Sequence, residues 1–339
     1  MKSLETLAAA AALCAVACSG ETVARPPPPP VDWEAFRRAE VDAGPATAPT
    51  ATESTAAQDY LAALGAPAFP LLGPLFDADA RASFPGMDDA HDRAGVVRTH
   101  AALFGAFDQR RFVASRILRT AAAQTVEWTM SGVQNGDWMS VTATHKPIAI
   151  KGITLLWTND DGTLADAHVY FDVAVAKAQL GAGPKELAGV PSRVPPEGPA
   201  QIVDQRPPDP DHAPVVRAAL DALENGAESA YLGQMADDVE VDSLDRAAPT
   251  RGKDAPSAYF KAMHKAIAQL DATIQNAWTV GSFVVVEYSL AGEQIAPIGW
   301  VPLQHDRVVK EHLVEVDEIR DDKMARIWRF ANPNEIVGP

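Results

Sequence analysis

Apolar residues recur at helical spacing over 57–64 and 92–107, then pass into runs in which apolar and polar positions alternate. Those runs predict strands at roughly 112–119, 125–133, 148–157 and 164–173, with Asp160-Asp161-Gly162 as the hairpin turn before the last. The same order then returns. Residues 214–225 and 256–270 carry the helical spacing, and 273–278, 283–290, 308–318 and 324–329 the alternation. Helices first and a curled antiparallel sheet last is an α+β pattern, here met twice.

The two passes align. Glu127-Trp128-Thr129-Met130-Ser131-Gly132 falls on Glu287-Tyr288-Ser289-Leu290-Ala291-Gly292, and a register without gaps carries His145 onto His305, Ile153 onto Leu313 and Leu156 onto Val316. It also sets 164–172 against 324–332. Such a repeat predicts a duplicated domain. The first copy spans 56–182 and a divergent second copy 212–339, joined by the Pro- and Asp-rich linker 183–211. A chain of 339 residues has the length for two such cores.

Composition narrows the partners. A hydrophobic content of 47% suits globular domains, and a formal net charge of −16 repels nucleic-acid phosphate. Lys2 and the apolar run 7–16 read as an export signal over 1–17, too short to span a bilayer. Ala15-Val16-Ala17-Cys18 is similar to the lipobox of bacterial lipoproteins, which would make Cys18 the lipidated first residue of a membrane-anchored envelope protein. Ala15-x-Ala17 also suits ordinary signal peptidase, which would release the protein free. Residues 18–55 read as a disordered Pro/Ala/Thr-rich tether, stiffened by the run Pro26 to Pro30. Cys14 and Cys18 are the two cysteines of the sequence, so the body offers no thiol for a disulfide, a nucleophile or a metal.

The first copy combines a leading helix, the Trp128 strand, the Asp-Asp-Gly turn and the closing run His168-Val169-Tyr170-Phe171-Asp172, followed by Gln179-Leu180-Gly181. Together these resemble the SnoaL-like polyketide cyclases and ester cyclases of the nuclear transport factor two-like superfamily, over about 56–181. The resemblance implies a cone-shaped α+β barrel, its sheet wrapped around the N-terminal helices, shaped for a small hydrophobic molecule. The second copy is similar to a more distant member. The resemblance further implies metal-free aldol ring closure without a cofactor, by an Asp at the end of the last strand, a position matched by Asp172.

A carboxyl in an apolar pocket has its charged form disfavoured, which raises its pKa toward the range useful to a general acid or base. Strand alternation puts Asp172 on one face with Tyr170, His168 and Asp166, neighbours ~7 Å apart. Two readings of this row stay open: a catalytic row of Asp172, His168 and Tyr170, or a solvated sheet face with Ala165, Ala167, Val169 and Phe171 in the core. The sequence departs from the cyclases where Leu156-Trp157-Thr158 replaces their His on the preceding strand, and where His168 replaces a frequent Trp. In the second copy Asn332 takes the slot of Asp172 and Trp328 that of His168. Asn exchanges no proton near neutrality, so acid–base chemistry is expected in the first copy.

Trp128, Trp138, Trp157 and Phe84 are candidate walls of the first pocket, and Tyr288, Trp300 and Trp328 of the second; aromatic residues on strands serve equally as core. His145 and His305 fall on matched positions and suggest a structural brace. The sequence has no His-Glu-x-x-His, no Gly-x-Ser-x-Gly and no phosphate-cradling glycine loop, so no metal or cofactor is expected. Three functions remain open: a cyclase- or isomerase-like enzyme, a non-catalytic carrier of a small hydrophobic ligand, and an interaction module built on an internal pseudo-dimer or a homodimer.

Overall fold

The computed structural model describes residues 55–206, 210–304 and 307–337. The export signal, Cys18, the tether up to residue 54 and His305 lie outside the described residues, as does the side chain of Pro70. In the first domain α1 (Ala56–Gly65) starts at a capping box, with Thr55 Oγ1 accepting from the Gln58 amide and Gln58 Oε1 from the Thr55 amide. Then follow β1 (Phe76–Ser83), α2 (Arg93–Phe104), β2 (Phe107–Arg119), β3 (Ala123–Gln134), β4 (Pro147–Thr158), β5 (Leu164–Phe171), α3 (Val173–Leu180) and β6 (Gln201–Asp204). The second domain runs α4 (Ala213–Glu224), α5 (Glu228–Gly233), β7 (Met235–Ser243), β8 (Thr250–Arg251), α6 (Asp254–Ala266), β9 (Ile267–Val280), β10 (Phe283–Gln294), β11 (Val308–Arg320), β12 (Lys323–Ala331) and α7 (Asn334–Val337).

Each domain holds one six-stranded sheet, ordered β1-β5-β4-β3-β2-β6 and β8-β7-β12-β11-β10-β9. The predicted strands form the antiparallel centre of each sheet. The sheets are nevertheless mixed, because β1 runs parallel to β5, β7 parallel to β12, and β6 parallel to β2. The alternation does not predict β1 and β7, in which Ala78 and Asp79, and Asp237 and Asp238, are exposed. Within the segment read as linker, β6 pairs with β2, and Asp204 forms an ion pair with Arg119.

The repeat is visible in the register, with one correction. Trp128 lies opposite Gly152, whereas Tyr288 lies opposite Leu313, so β11 is shifted by one residue against the gapless alignment that set Ile153 on Leu313. The last strands fall back into step: Phe171 lies opposite Gly152 and Ala331 opposite Leu313. The shift is recovered at the hairpins. Asp321 and Asp322, both at φ 53°, make a tight two-residue turn where the first domain uses a longer turn with Gly162 at φ 86°.

Each sheet has a face covered by its own helices. In the second domain Val284, Val286, Tyr288 and Leu290 pack there with Leu220 and Leu223 of α4 and Met263 of α6. The opposite faces of the two sheets share one apolar cluster, in which Leu118, Ile153, Leu155 and Tyr170 meet Phe283, Val285, Val314, Val316 and Phe330. Burial of these branched and aromatic side chains holds one domain against the other.

Candidate functional site

The interior of the first cone is filled. Phe104, Phe112, Trp128 and Phe171 pack with ring centroids 5.2–6.1 Å apart, and Trp138 stacks on Phe171 at 6.4 Å. Trp128 Nε1 donates to Thr154 Oγ1 and Trp138 Nε1 to the Leu103 carbonyl, so both indoles are satisfied within the core. Trp128 and Trp138 are therefore core residues rather than pocket walls. Deeper in, the Tyr60 hydroxyl meets His100 Nε2 while His100 Nδ1 bonds the Val96 carbonyl. Burial pushes this His down to about 4, keeping it neutral.

The same positions in the second cone are emptied of aromatic bulk. By strand register Ala331 stands where Phe171 does, Ala272 where Phe112 does, and Tyr288 where Trp128 does. A cavity of about 380 Å³ results, walled by Tyr231, Tyr259, Met263, Ile298, Trp300 and Leu313. Trp300, a candidate from the sequence, is among the lining residues.

Charge enters this cone on the face that is apolar in the first. Glu311, Glu315 and Asp317 of β11 occupy the register positions of Ile150, Thr154 and Leu156, and Arg329 of β12 that of Val169. Arg329 Nε donates to Glu315 Oε1, which also accepts from the Tyr288 hydroxyl at 2.9 Å. The Arg329 guanidinium lies 3.7 Å from the centre of the Tyr259 ring. Behind them both oxygens of Asp317 are buried without a hydrogen-bond partner among the described residues, and burial, reinforced by Glu315, pushes this carboxyl well up.

Of the three carboxyls that line the cavity, Asp245 is exposed and two, Glu311 and Asp172, are buried. Glu311 is buried, and among the described residues its side chain accepts no hydrogen bond and forms no ion pair; burial, then Glu335 and Asp172, push it up to about 8. Asp172 comes from the first domain. Its Oδ1 accepts from the amides of Ala174 and Val175 at the start of α3, leaving Oδ2 unbonded. Burial pushes it up to about 7 against those two amides.

The predicted row Asp166, His168, Tyr170, Asp172 is divided. Because β5 ends at Phe171, Asp172 caps a helix and reaches the second domain's cavity. His168 and Tyr170 instead turn into the interface between the sheets, both bonding Glu287 Oε1 at 2.6 Å, while Asn276 donates to Oε2. They do not share a site with Asp172, which corrects the expectation of a catalytic row. Burial alone would lower His168, but Asp166 and Glu287 overcome it and carry it up to about 9. Trp157 packs on His168 and Trp278, and Trp328 lies under the Arg116 guanidinium at 3.7 Å. Trp157 and Trp328 are accordingly interface residues, not pocket walls.

The matched position Asn332 repays the exchange across the interface. It helps line a smaller cavity of about 290 Å³ at the mouth of the first domain, together with Phe84, Met87, Met139, Val173 and Lys177, and its Nδ2 donates to the Pro85 carbonyl. Phe84 thus does border a cavity. His145 bonds Asn135 in its loop, consistent with a structural brace. Among the described residues no cluster of three His, Cys, Asp or Glu is arranged to hold a metal ion. Sequence reasoning had missed Glu311, Glu315, Asp317, Tyr231, Tyr259 and Arg329. The available signal was three acids, Glu311, Glu315 and Asp317, on one face of one strand with Leu313 among them, a pattern that also describes a half-solvated sheet face.

The profile of the SnoaL-like domain matches residues 57–167 and again 216–327, more than half of the chain. Among solved structures, a protein from Jannaschia sp. CCS1 described as a SnoaL-like polyketide cyclase is 14% identical, with a TM-score of 0.35, over 38% of this chain and 91% of that one. AclR of Streptomyces galilaeus, described as a hydroxylase, is 16% identical with a TM-score of 0.33, over 37% and 92%. An epoxide hydrolase of M. tuberculosis is 17% identical with a TM-score of 0.30, over 37% and 86%. No curated protein matches the chain in sequence.

Proposed function

Since the chain belongs to the SnoaL-like domain family, of which it carries two copies, we propose that it holds a small, largely apolar molecule in the second domain's cavity and exchanges protons with it through Asp172 and Glu311. One observation carries this reading: two cavity carboxyls, supplied by different domains, are raised to about 7 and about 8. Asp172 is among the charges that raise Glu311, so near neutrality Asp172 loses its proton more readily and Glu311 keeps its own. A carboxylic acid beside a carboxylate can protonate one atom of a bound molecule and take a proton from another, as isomerisation or ring closure next to a carbonyl requires. Positioned groups of this kind supply roughly 10²–10⁴-fold in rate.

The test is a panel of small lipophilic carbonyl compounds offered to the full chain, followed by mass spectrometry and chromatography of the products. A compound converted by the parent but only bound by Asp172→Asn and Glu311→Gln supports proton transfer. Stable binding without conversion by the parent makes the protein a carrier, and conversion untouched in both variants sinks the assignment.

We also propose that the protein is exported and anchored by lipid on Cys18, on the strength of Ala15-Val16-Ala17-Cys18 and the Pro-rich run after it. In a bacterial host, Cys18→Ser should move the protein from the detergent phase to the aqueous phase. A parent chain found in the aqueous phase with residues 1–17 still attached argues against it.

A further inference from the structure

The charges around the second domain's cavity do not balance. Arg329 is occupied by Glu315, and Arg246, the other guanidinium of the lining, is exposed at the rim beside Asp245. Deeper in, Asp172 and Glu311 are both more than nine-tenths buried and have no ion-pair partner among the described residues. Glu335, which also acts on Glu311, is engaged by His312. A bound anion would meet two buried carboxyls, with the exposed Arg246 facing it only from the rim, whereas a bound cation would supply the missing charge in a medium where water screens it poorly.

The walls suit an organic cation rather than a metal. Trp300, Tyr231 and Tyr259 offer aromatic surface, and ring faces attract alkylammonium groups. Leu313, Met263 and Ile298 offer only carbon to the rest of the molecule. At about 380 Å³ the cavity lies toward the small end of ligand pockets, roughly 300–1,000 Å³.

Resting on the function proposed above, we infer that the ligand carries a basic nitrogen: a small aromatic or alicyclic amine, protonated when bound, whose ammonium group lies between Asp172 and Glu311 at the junction of the two domains. The amine then serves as counter-ion to one of the two carboxylates, and binding releases the proton that this group holds in the empty cavity, while the other stays a carboxylic acid. The groups facing them that set the pH response are Asp245, Arg246, Glu315, Arg329 and Glu335.

Three molecules of nearly equal shape test the inference on the full chain: N,N-dimethylbenzylamine, its uncharged carbon counterpart isobutylbenzene, and the anion phenylacetate. Calorimetry at pH 7 in two buffers of different ionisation enthalpy reads affinity and proton release together. The amine is expected to bind about tenfold or more tighter than either counterpart, with a proton released. Glu311→Gln should weaken the amine by about tenfold or more and leave isobutylbenzene unchanged, with circular dichroism confirming the fold. Isobutylbenzene or phenylacetate binding as tightly as the amine overturns the inference while leaving a ligand cavity in place. Failure of all three to bind the parent overturns the cavity reading along with it.

Discussion

Trp128 packs against Gly152, so close that a Cβ on this glycine would come within 2.3 Å of the indole ring and 2.8 Å of the Tyr170 carbonyl. The missing side chain is what lets the first cone be filled by tryptophan. Gly152→Ala should therefore cost about 1–3 kcal/mol through overpacking. Urea unfolding monitored by tryptophan fluorescence measures it, and an unchanged midpoint would contradict this packing.

Ala331 holds the position that Phe171 fills in the first domain. Ala331→Phe should plug the second domain's cavity, abolishing ligand binding while leaving the melting temperature unchanged or higher. Retained binding would put the ligand elsewhere.

Asp317 is buried with no hydrogen-bond partner for either oxygen among the described residues, where the first domain has Leu156. Its folded-state pKa is raised, so the neutral acid is tolerated at low pH and stability is lost as pH rises above the unfolded value of 3.8. Asp317→Leu should stabilise the protein by about 1–3 kcal/mol at neutral pH, with a gain that shrinks toward pH 4. Melting curves across pH 4–8 (about four units, spanning the range in which the unfolded carboxyl ionises) should show the two proteins converging at the acid end. A constant difference would rule out titration of Asp317 as the cause.

His168, held between Asp166 and Glu287, is raised to about 9 in the folded state from its ordinary value of 6.5. Its ion pairs thus stabilise the interface fully below pH 6.5, and the contribution is lost as pH rises through about 9. His168→Gln should be destabilised relative to the parent at pH 6, with the gap closing on the alkaline side. Denaturant midpoints at a series of pH values check this, and a gap that widens with pH would reverse the assignment.

The duplication and the order of elements were legible because they rest on local signals. Alternation in β3 and β10 survives as Glu127-Trp128 and Glu287-Tyr288, and the Asp-Asp turns mark both hairpins. The strands β1 and β7 were not legible: β1 alternates, but after Phe76 its apolar positions are all alanine, a weak strand former, and in β7 the adjacent pair Asp237-Asp238 breaks the alternation. Asp172 was found from its place after the last strand, but not the cavity that it serves, which belongs to the other domain.

Which cone is hollow was a matter for the tertiary structure. Side chains along a strand alternate between faces, so a one-residue slip in alignment exchanges interior for interface. Read without gaps, Glu315 pairs with Leu155, whose side chain packs between the sheets; in the folded register it pairs with Thr154, inside the cone. Chain order alone specifies two α+β copies and an acid at the end of the first. The hydrogen-bonded register of β10 with β11, and the packing of one sheet on the other, decide that Glu311, Glu315 and Arg329 face inward and that Asp172 meets them there.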